Sequence, residues 1–220
     1  MGNRYAISDI HGCFKTFKRL LERIHFSIED ELYLLGDYID RGPDSKGVID
    51  LIRRLRKKNY TIHCLMGNHE YMLIEELKHN VWPPGVPETL ESFKVSHNNQ
   101  IAQEYVRWFK DLSYYFELDN YILVHAGLSF YSQNPLLDEY DMLWVRGWYG
   151  KLDWDWLEDR IILHGHTPIH KGKIESMRDQ IDEDRILNID NGCVFKEQGL
   201  NHLCCFNLGT RELIFESNRD

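Results

Sequence analysis

No run in this 220-residue chain approaches the ~20 consecutive apolar residues that cross a bilayer, so the sequence predicts no membrane span. Cys-x-x-Cys pairs are absent, and the five cysteines (Cys13, Cys64, Cys193, Cys204, Cys205) are an odd number. That excludes a disulfide framework and a thiolate metal site, and reads as a reduced, cytoplasmic protein. Positive charge is in deficit: 26 Lys+Arg face 35 Asp+Glu, a formal charge of −9. So acidic a chain binds phosphate backbones poorly, and no nucleic-acid partner is expected. Low-complexity tracts are missing too, and no signal peptide is expected in Met1–Asp9, which turns at once into a strand-like run. Proline is scarce, with half of the six residues in Val81-Trp-Pro-Pro-Gly-Val-Pro87, a stretch that must end any helix before it.

What is present is core material. Hydrophobic residues make up 43% of the chain and aromatics 13%, enough for one domain over residues 1–220. Tyr5–Ser8, Leu32–Leu35 and Thr61–Met66 read as buried strands. Between them, Phe14, Phe17, Leu20, Leu21 and Ile24, then Val48, Leu51, Ile52 and Leu55, fall at helical spacing. Such alternation predicts βαβ units and a largely parallel sheet. A further helix is predicted over about Gln100–Leu112, after which strands dominate: 113–118, 121–124, 160–163, 185–189, 202–207 and 212–216. Hairpins are expected at Asp119-Asn120 and Leu208-Gly-Thr210. The basic tract Arg53–Lys58 falls at a helix end, where it complements the dipole and stays solvated. Trp144, Trp148, Tyr149, Trp154 and Trp156 read as ordinary packing or as an aromatic wall beside a substrate.

Five of the strands deliver ligand-type residues at their carboxyl ends. These are Asp9-Ile-His11, Asp37-Tyr-Ile-Asp40-Arg41, Asn68-His69-Glu70, His125 and His164-Gly-His166. Open α/β sheets bind ligands at that edge, so the five loops can converge on one crevice. Carboxylates, one amide oxygen and imidazoles without sulfur suit Mn²⁺, Fe or Zn²⁺ better than soft metals. The set exceeds what one ion can use, and two ions ~3.5–4 Å apart are the arrangement for displacement at phosphorus. Arg41 lies within the second motif, and a guanidinium matches phosphate oxygens as a fork.

Taken in order, Asp-x-His, Gly-Asp-x-x-Asp-Arg-Gly, Gly-Asn-His-Glu, a His-x-Gly after a strand and a late Gly-His resemble the motif series of the metallophosphoesterases. The second and third forms are similar to those of the PPP serine/threonine phosphatases of small bacterial and phage type. The resemblance spans roughly residues 5–170, and Asn188-Ile-Asp-Asn-Gly-Cys193 resembles a later strand signature. It implies a four-layer αββα sandwich of two mixed β-sheets flanked by helices. It also implies a binuclear centre, with manganese first and iron or zinc as alternatives. Asp9, His11 and Asp37 would hold one metal, and Asp37, Asn68, His125 and His166 the other. His69 would be the general acid oriented by Asp40. Arg41 and Arg146, the latter within Leu143-Trp-Val-Arg146, would grip the phosphate with Asn68. His164 would be a buried, hydrogen-bonded neighbour. His-Ala-Gly stands where eukaryotic members have His-Gly-Gly. Gly-His-Thr-Pro lacks the second histidine of the Gly-His-x-His branches, which argues against a cyclic-nucleotide phosphodiesterase.

The implied activity is hydrolysis of phosphoserine and phosphothreonine in proteins by a metal-bridging hydroxide, with a phosphorylated protein or peptide as partner. An alternative with the same motifs is a symmetrical dinucleoside tetraphosphate hydrolase. A non-catalytic phosphopeptide scaffold is a third, although such a chain would be expected to lack one of these residues and none is missing.

Overall fold

A computed structural model describes residues 2–79 and 86–220. The chain opens with β1 (Arg4–Ile7), α1 (Phe14–Arg23), β2 (Glu31–Leu34), α2 (Ser45–Lys57) and β3 (Thr61–Cys64). Next come α3 (Asn68–His79), α4 (Pro87–Phe93) and α5 (Gln103–Lys110). A hairpin of β4 (Tyr115–Leu118) and β5 (Tyr121–Val124) precedes α6 (Glu139–Trp144) and α7 (Trp154–Leu157). The chain then forms β6 (Ile161–His164), α8 (Lys171–Asp179), α9 (Ile181–Asp184) and β7 (Ile186–Asn188). It closes with the hairpin of β8 (His202–Asn207) and β9 (Leu213–Ser217).

Two mixed sheets result. One has the order β3-β2-β1-β8-β9 and the other β4-β5-β6-β7. In the first, β1, β2 and β3 run parallel, and β8 then pairs antiparallel with β1. Side-chain alternation explains the layering, because successive residues of a strand face opposite sides. Tyr5, Ile7, Leu32, Leu34, Leu203 and Cys205 pack with the buried sides of α1, α2 and α5. Their neighbours Ala6, Tyr33, Cys204 and Phe206 face the other way and meet the residues of β5, β6 and β7. Ile174 and Met177 of α8 complete that second cluster. Helix, sheet, sheet, helix is the expected αββα sandwich.

Local chemistry fixes the helix ends. Asp44 caps α2 by accepting from the Gly47 amide at 2.8 Å, and Arg54, Arg56 and Lys57 occupy its last turn. Among the departures from the sequence reading, α5 starts at Gln103 because Ile101 is extended and inserts its side chain into the core. Ser113 pairs with Leu65 instead of joining β4, and so connects the two sheets. Helix α8 was not foreseen: its only buried residues are Ile174 and Met177, too narrow a stripe to register as periodicity. Of the proline-rich stretch, residues 81–85 lie outside the described residues, while Pro87 opens α4. All five cysteines are free and buried. Among the described residues no helix is long and apolar enough to cross a membrane.

Candidate metal centre

Three loops of the five-stranded sheet and two of the four-stranded sheet bring their motifs to one edge of the sandwich. The backbone there is unusual. His11, Asp37, Asp40, Arg41 and His166 all have φ between 45° and 71°, a left-handed conformation that non-glycine residues rarely adopt. Surrounding hydrogen bonds hold it in place. The first two loops are joined by the Ile10 and His11 amides donating to the Asp37 carbonyl at 3.0 and 2.9 Å. Glu70, fully buried in the first turn of α3, accepts from the amides of Asp37 (3.0 Å), Tyr38 (2.8 Å), Ile39 (3.2 Å) and Gly67 (3.1 Å). Gly36, at φ 104°, lies so near Gly67 that a Cβ would come within 2.7 Å of its backbone.

Asp37 is the hub. Its Oδ2 lies 3.5 Å from His11 Nε2 and 3.9 Å from His69 Nε2, and its Oδ1 lies 3.6 Å from His125 Nε2. Potential ligand atoms of His11, Asp37 and His69 fall within 4.8 Å of one another, as do those of Asp37, His125 and His166. Asn68 Oδ1 is 2.9 Å from both His125 Nε2 and His166 Nδ1. Asp9 sits alongside, accepting from the His166 amide at 3.1 and 3.2 Å and from Ser8 Oγ.

Whether these groups suit a cation is answered by their protons. His11 Nδ1 donates to the Ile39 carbonyl and His125 Nδ1 to the Leu35 carbonyl, each at 2.8 Å. A carbonyl only accepts, so in each ring the proton sits on Nδ1 and the Nε2 lone pair turns inward. Those lone pairs converge with the Asp37 carboxylate and the Asn68 amide oxygen, and His125 Nε2 and Asn68 Oδ1, 2.9 Å apart, are two acceptors with no hydrogen between them. His166 Nε2 is buried and has no partner among the described residues. Converging acceptors are unfavourable alone and favourable around a divalent ion. The donor set fits.

Ionisation points the same way. Asp37 is held well below the usual carboxylate range: burial opposes its charge, but His125, His11 and His69 outweigh it. Burial lowers His11, and burial with the neighbouring His125 pushes His166 down to about 4. An ionised carboxylate among neutral imidazoles is the state that ligates. Burial and the Asp37 charge push Glu70 up to about 8, against which its four amide donors work. Burial and the nearby Asp9 raise Asp190, a buried carboxyl of the later signature. His164 does not enter the cluster. Burial brings it down to about 3, and its Nε2 accepts from Tyr149 Oη at 2.8 Å.

His69 and Asp40 come together as the motif implied. His69 Nδ1 lies 2.6 Å from Asp40 Oδ2, and both residues are buried. Burial alone would lower the His69 pKa, but Asp40 and Asp37 outweigh it and raise it. Thr89, from α4, donates to Asp40 Oδ1 at 2.6 Å and accepts from the Asp40 amide at 2.9 Å. The two arginines are exposed at the mouth. Arg41 Nη1 is 3.1 Å from His11 Nε2, with its guanidinium 5.5 Å from the Phe195 ring centre. Arg146 is close enough for its charge to help lower His166. Sequence reasoning passed over Glu70, Thr89 and Asp190. Glu70 and Asp190 were inside quoted motifs, so their signal was position; Thr89, 49 residues from Asp40, gave none.

The family description that matches is calcineurin-like phosphoesterase, over residues 4–203. The chain belongs to that family. Membership makes it a phosphoesterase-type hydrolase and implies divalent metal ions, which the donor cluster accommodates. Among curated relatives, the chain is 41% identical over 73 residues to a symmetrical bis(5'-nucleosyl)-tetraphosphatase of Wigglesworthia glossinidia brevipalpis, covering 33% of this chain and 26% of that protein. It is 24% identical over 249 aligned positions to the asymmetrical bis(5'-nucleosyl)-tetraphosphatase PrpE of Oceanobacillus iheyensis, covering 97% of this chain and 91% of that protein. The chain therefore spans only about a quarter of the first relative's length. A crystal structure of a putative diadenosine tetraphosphatase superposes with a TM-score of 0.69 at 19% identity, over 100% of this chain and 95% of that one, a likeness of fold.

These relatives correct the substrate reading. Phosphoserine and phosphothreonine in proteins, and a phosphorylated protein as partner, do not stand: the named relatives are bis(5'-nucleosyl)-tetraphosphatases. The physical reason is that the motifs encode chemistry at phosphorus, which an ester and an anhydride share. No motif residue reads the leaving group beyond its departing oxygen.

Proposed function

We propose that the chain is a metal-dependent hydrolase of dinucleoside tetraphosphates, cleaving a phosphoanhydride of the bridge. The observation that carries the reaction class is Asp37, one carboxylate facing two imidazole sets. The names of the relatives support the substrate class. Asp9, His11 and Asp37 would hold one divalent ion and Asp37, Asn68, His125 and His166 a second, manganese being the first choice. Such ions, when bound, supply Lewis acidity at the phosphate oxygens and a nucleophile at neutral pH. Arg41 and Arg146 grip the phosphate oxygens at the mouth, as charge-assisted donors, while Asn68 faces it from the floor. His69, its Nδ1 fixed by Asp40, holds a proton at Nε2 for the departing oxygen.

The test is direct. Purified protein with Mn²⁺ should convert diadenosine tetraphosphate to adenine nucleotides, and anion-exchange separation of the products shows where the bridge is cut. Turnover of nitrophenyl phosphate without any cleavage of the dinucleotide would overturn the proposal.

Two further results are expected. Chelation should abolish activity while leaving the far-UV circular dichroism nearly unchanged, because the donors lie on loops and the strands are held by their ladders and two packed clusters. Full activity after verified metal removal would contradict the assignment. His69→Asn should cost about 10²-fold in turnover, the lower end of the ~10²–10⁴-fold contribution of positioned acid catalysis. A phosphate leaving group is a weaker base than an alkoxide and needs its proton less. Asp40→Asn should show a milder loss. If metal analysis found His69→Asn depleted in proportion to its lost activity, His69 would be a ligand instead.

A further inference from the structure

Beside the metal centre, α3 and α6 leave an open groove of about 390 Å³, lined by Tyr71, Met72, Glu75, Glu76, Tyr140 and Trp144 among others. Trp144 is its inner wall, with its indole edge-on to His166 at 6.4 Å between ring centres. Tyr140 is the outer wall, 64% exposed, with its ring 6.2 Å from that of Trp144 and tilted by 32°. An exposed aromatic residue normally needs no explanation, but this pair continues directly into the candidate centre. Trp144 Nε1 is also a buried donor with no partner among the described residues. The sequence raised an aromatic wall over residues 144–156. Only Trp144 is part of this groove; Trp148 is buried, donating to the Ala126 carbonyl at 3.2 Å.

We propose that this groove holds one nucleobase of the substrate, stacked against Trp144 and Tyr140; the assignment rests on the dinucleoside reading above. The lining chooses among occupants. His79 lines the groove too and lies 3.1 Å from Glu75, which Lys78 also meets at 3.3 Å, while Glu76 accepts from Asn98 Nδ2 at 2.5 Å. The remaining acceptor capacity of the two carboxylates suits the exocyclic amine and ribose hydroxyls of a nucleoside. Flat aromatic faces favour a flat π-system over an alkyl chain. A base offers a flat face to stack on the indole, and its polar edge stays free for the carboxylates of the groove. Because Trp144 touches His166, a base seated there lies one ring away from the groups that take the phosphates.

Two measurements test this. The first compares KM for diadenosine tetraphosphate with KM for inorganic tripolyphosphate, which has anhydride bonds and no base. Trp144→Ala should raise the ratio of the two about 10-fold, Tyr140→Ala less, and Trp144→Phe should restore most of it. Equal changes on both substrates would overturn the proposal, since the indole would then be acting only on the metal centre. The second uses chelated protein titrated with adenosine. Saturable quenching of tryptophan fluorescence is expected in the wild type and should be lost in Trp144→Phe. No quenching by adenosine, or quenching only by an alkyl amide, would overturn it. Adenosine binding in a protein that fails to cleave the dinucleotide would sink the proposed reaction and leave the base site standing.

Discussion

Asp37→Asn is expected to lower turnover about 10³-fold or more and to reduce bound metal from two equivalents toward none. An ion that polarises phosphoryl oxygens contributes several kcal/mol to the transition state, and each ~1.4 kcal/mol is a factor of ten in rate. The variant removes the one charge that both donor sets share. Asparagine preserves volume, and its amide oxygen can still accept from the His69 amide, which Asp37 Oδ1 does at 3.1 Å. Loss of folding is therefore not the expected cause. Metal content of dialysed protein, measured beside kcat, is the check. Two retained equivalents with unimpaired turnover would remove Asp37 from the centre.

Glu70→Ala should produce the largest loss of stability. It orphans four buried backbone donors in two loops, each costing ~1–3 kcal/mol when taken alone. The orphaned groups are neighbours, so their costs are not additive, and a total of about 4 kcal/mol is expected. For a chain of this size that lowers Tm by about 10 °C. Glu70→Gln should fall between. Its amide oxygen can keep the Tyr38 and Ile39 amides, but its NH₂ then meets the amides of Asp37 and Gly67. Thermal denaturation of all three proteins tests the order. A Glu70→Ala protein as stable as wild type would mean the loop is held by other contacts.

Much of this was legible because strand and ligand came as consecutive text. A run such as Tyr121–Val124 followed by His125 states both a buried strand and what hangs from its end; five such pairs pointed to one crevice and its candidate donors, while the αββα layering was read from the family resemblance of the motifs. The parallel half was less complete than the text implied. Nothing in His202–Asn207 says that it returns to pair antiparallel with β1, because strand partners across two hundred residues are chosen by packing. Helices with only a two-residue apolar stripe, such as α8, were equally silent. Thr89 could not be read at all: its role exists only once α4 is brought onto the second loop. The substrate went astray for a related reason. The motif residues at the centre serve the phosphate or its support, whereas the groove proposed for the rest of the substrate lies between α3 and α6, where of the quoted strings only Leu143-Trp-Val-Arg146 contributes, through Trp144.

The division of donors between the sheets has a mechanical meaning. Asp9, His11, Asp37 and Asn68 hang from one sheet, and His125 and His166 from the other. The distance between the two halves of the centre is thus set by the thickness of the layer that separates them, in which Tyr33, Phe206 and Leu123 act as spacers. The centre works as a gauge of that spacing. A spacer one methylene too large or too small, far from any donor, would be felt as a change in the gap that Asp37 and Asn68 bridge toward His125 and His166. Residues that look like inert filling would then bear on the chemistry at the rim.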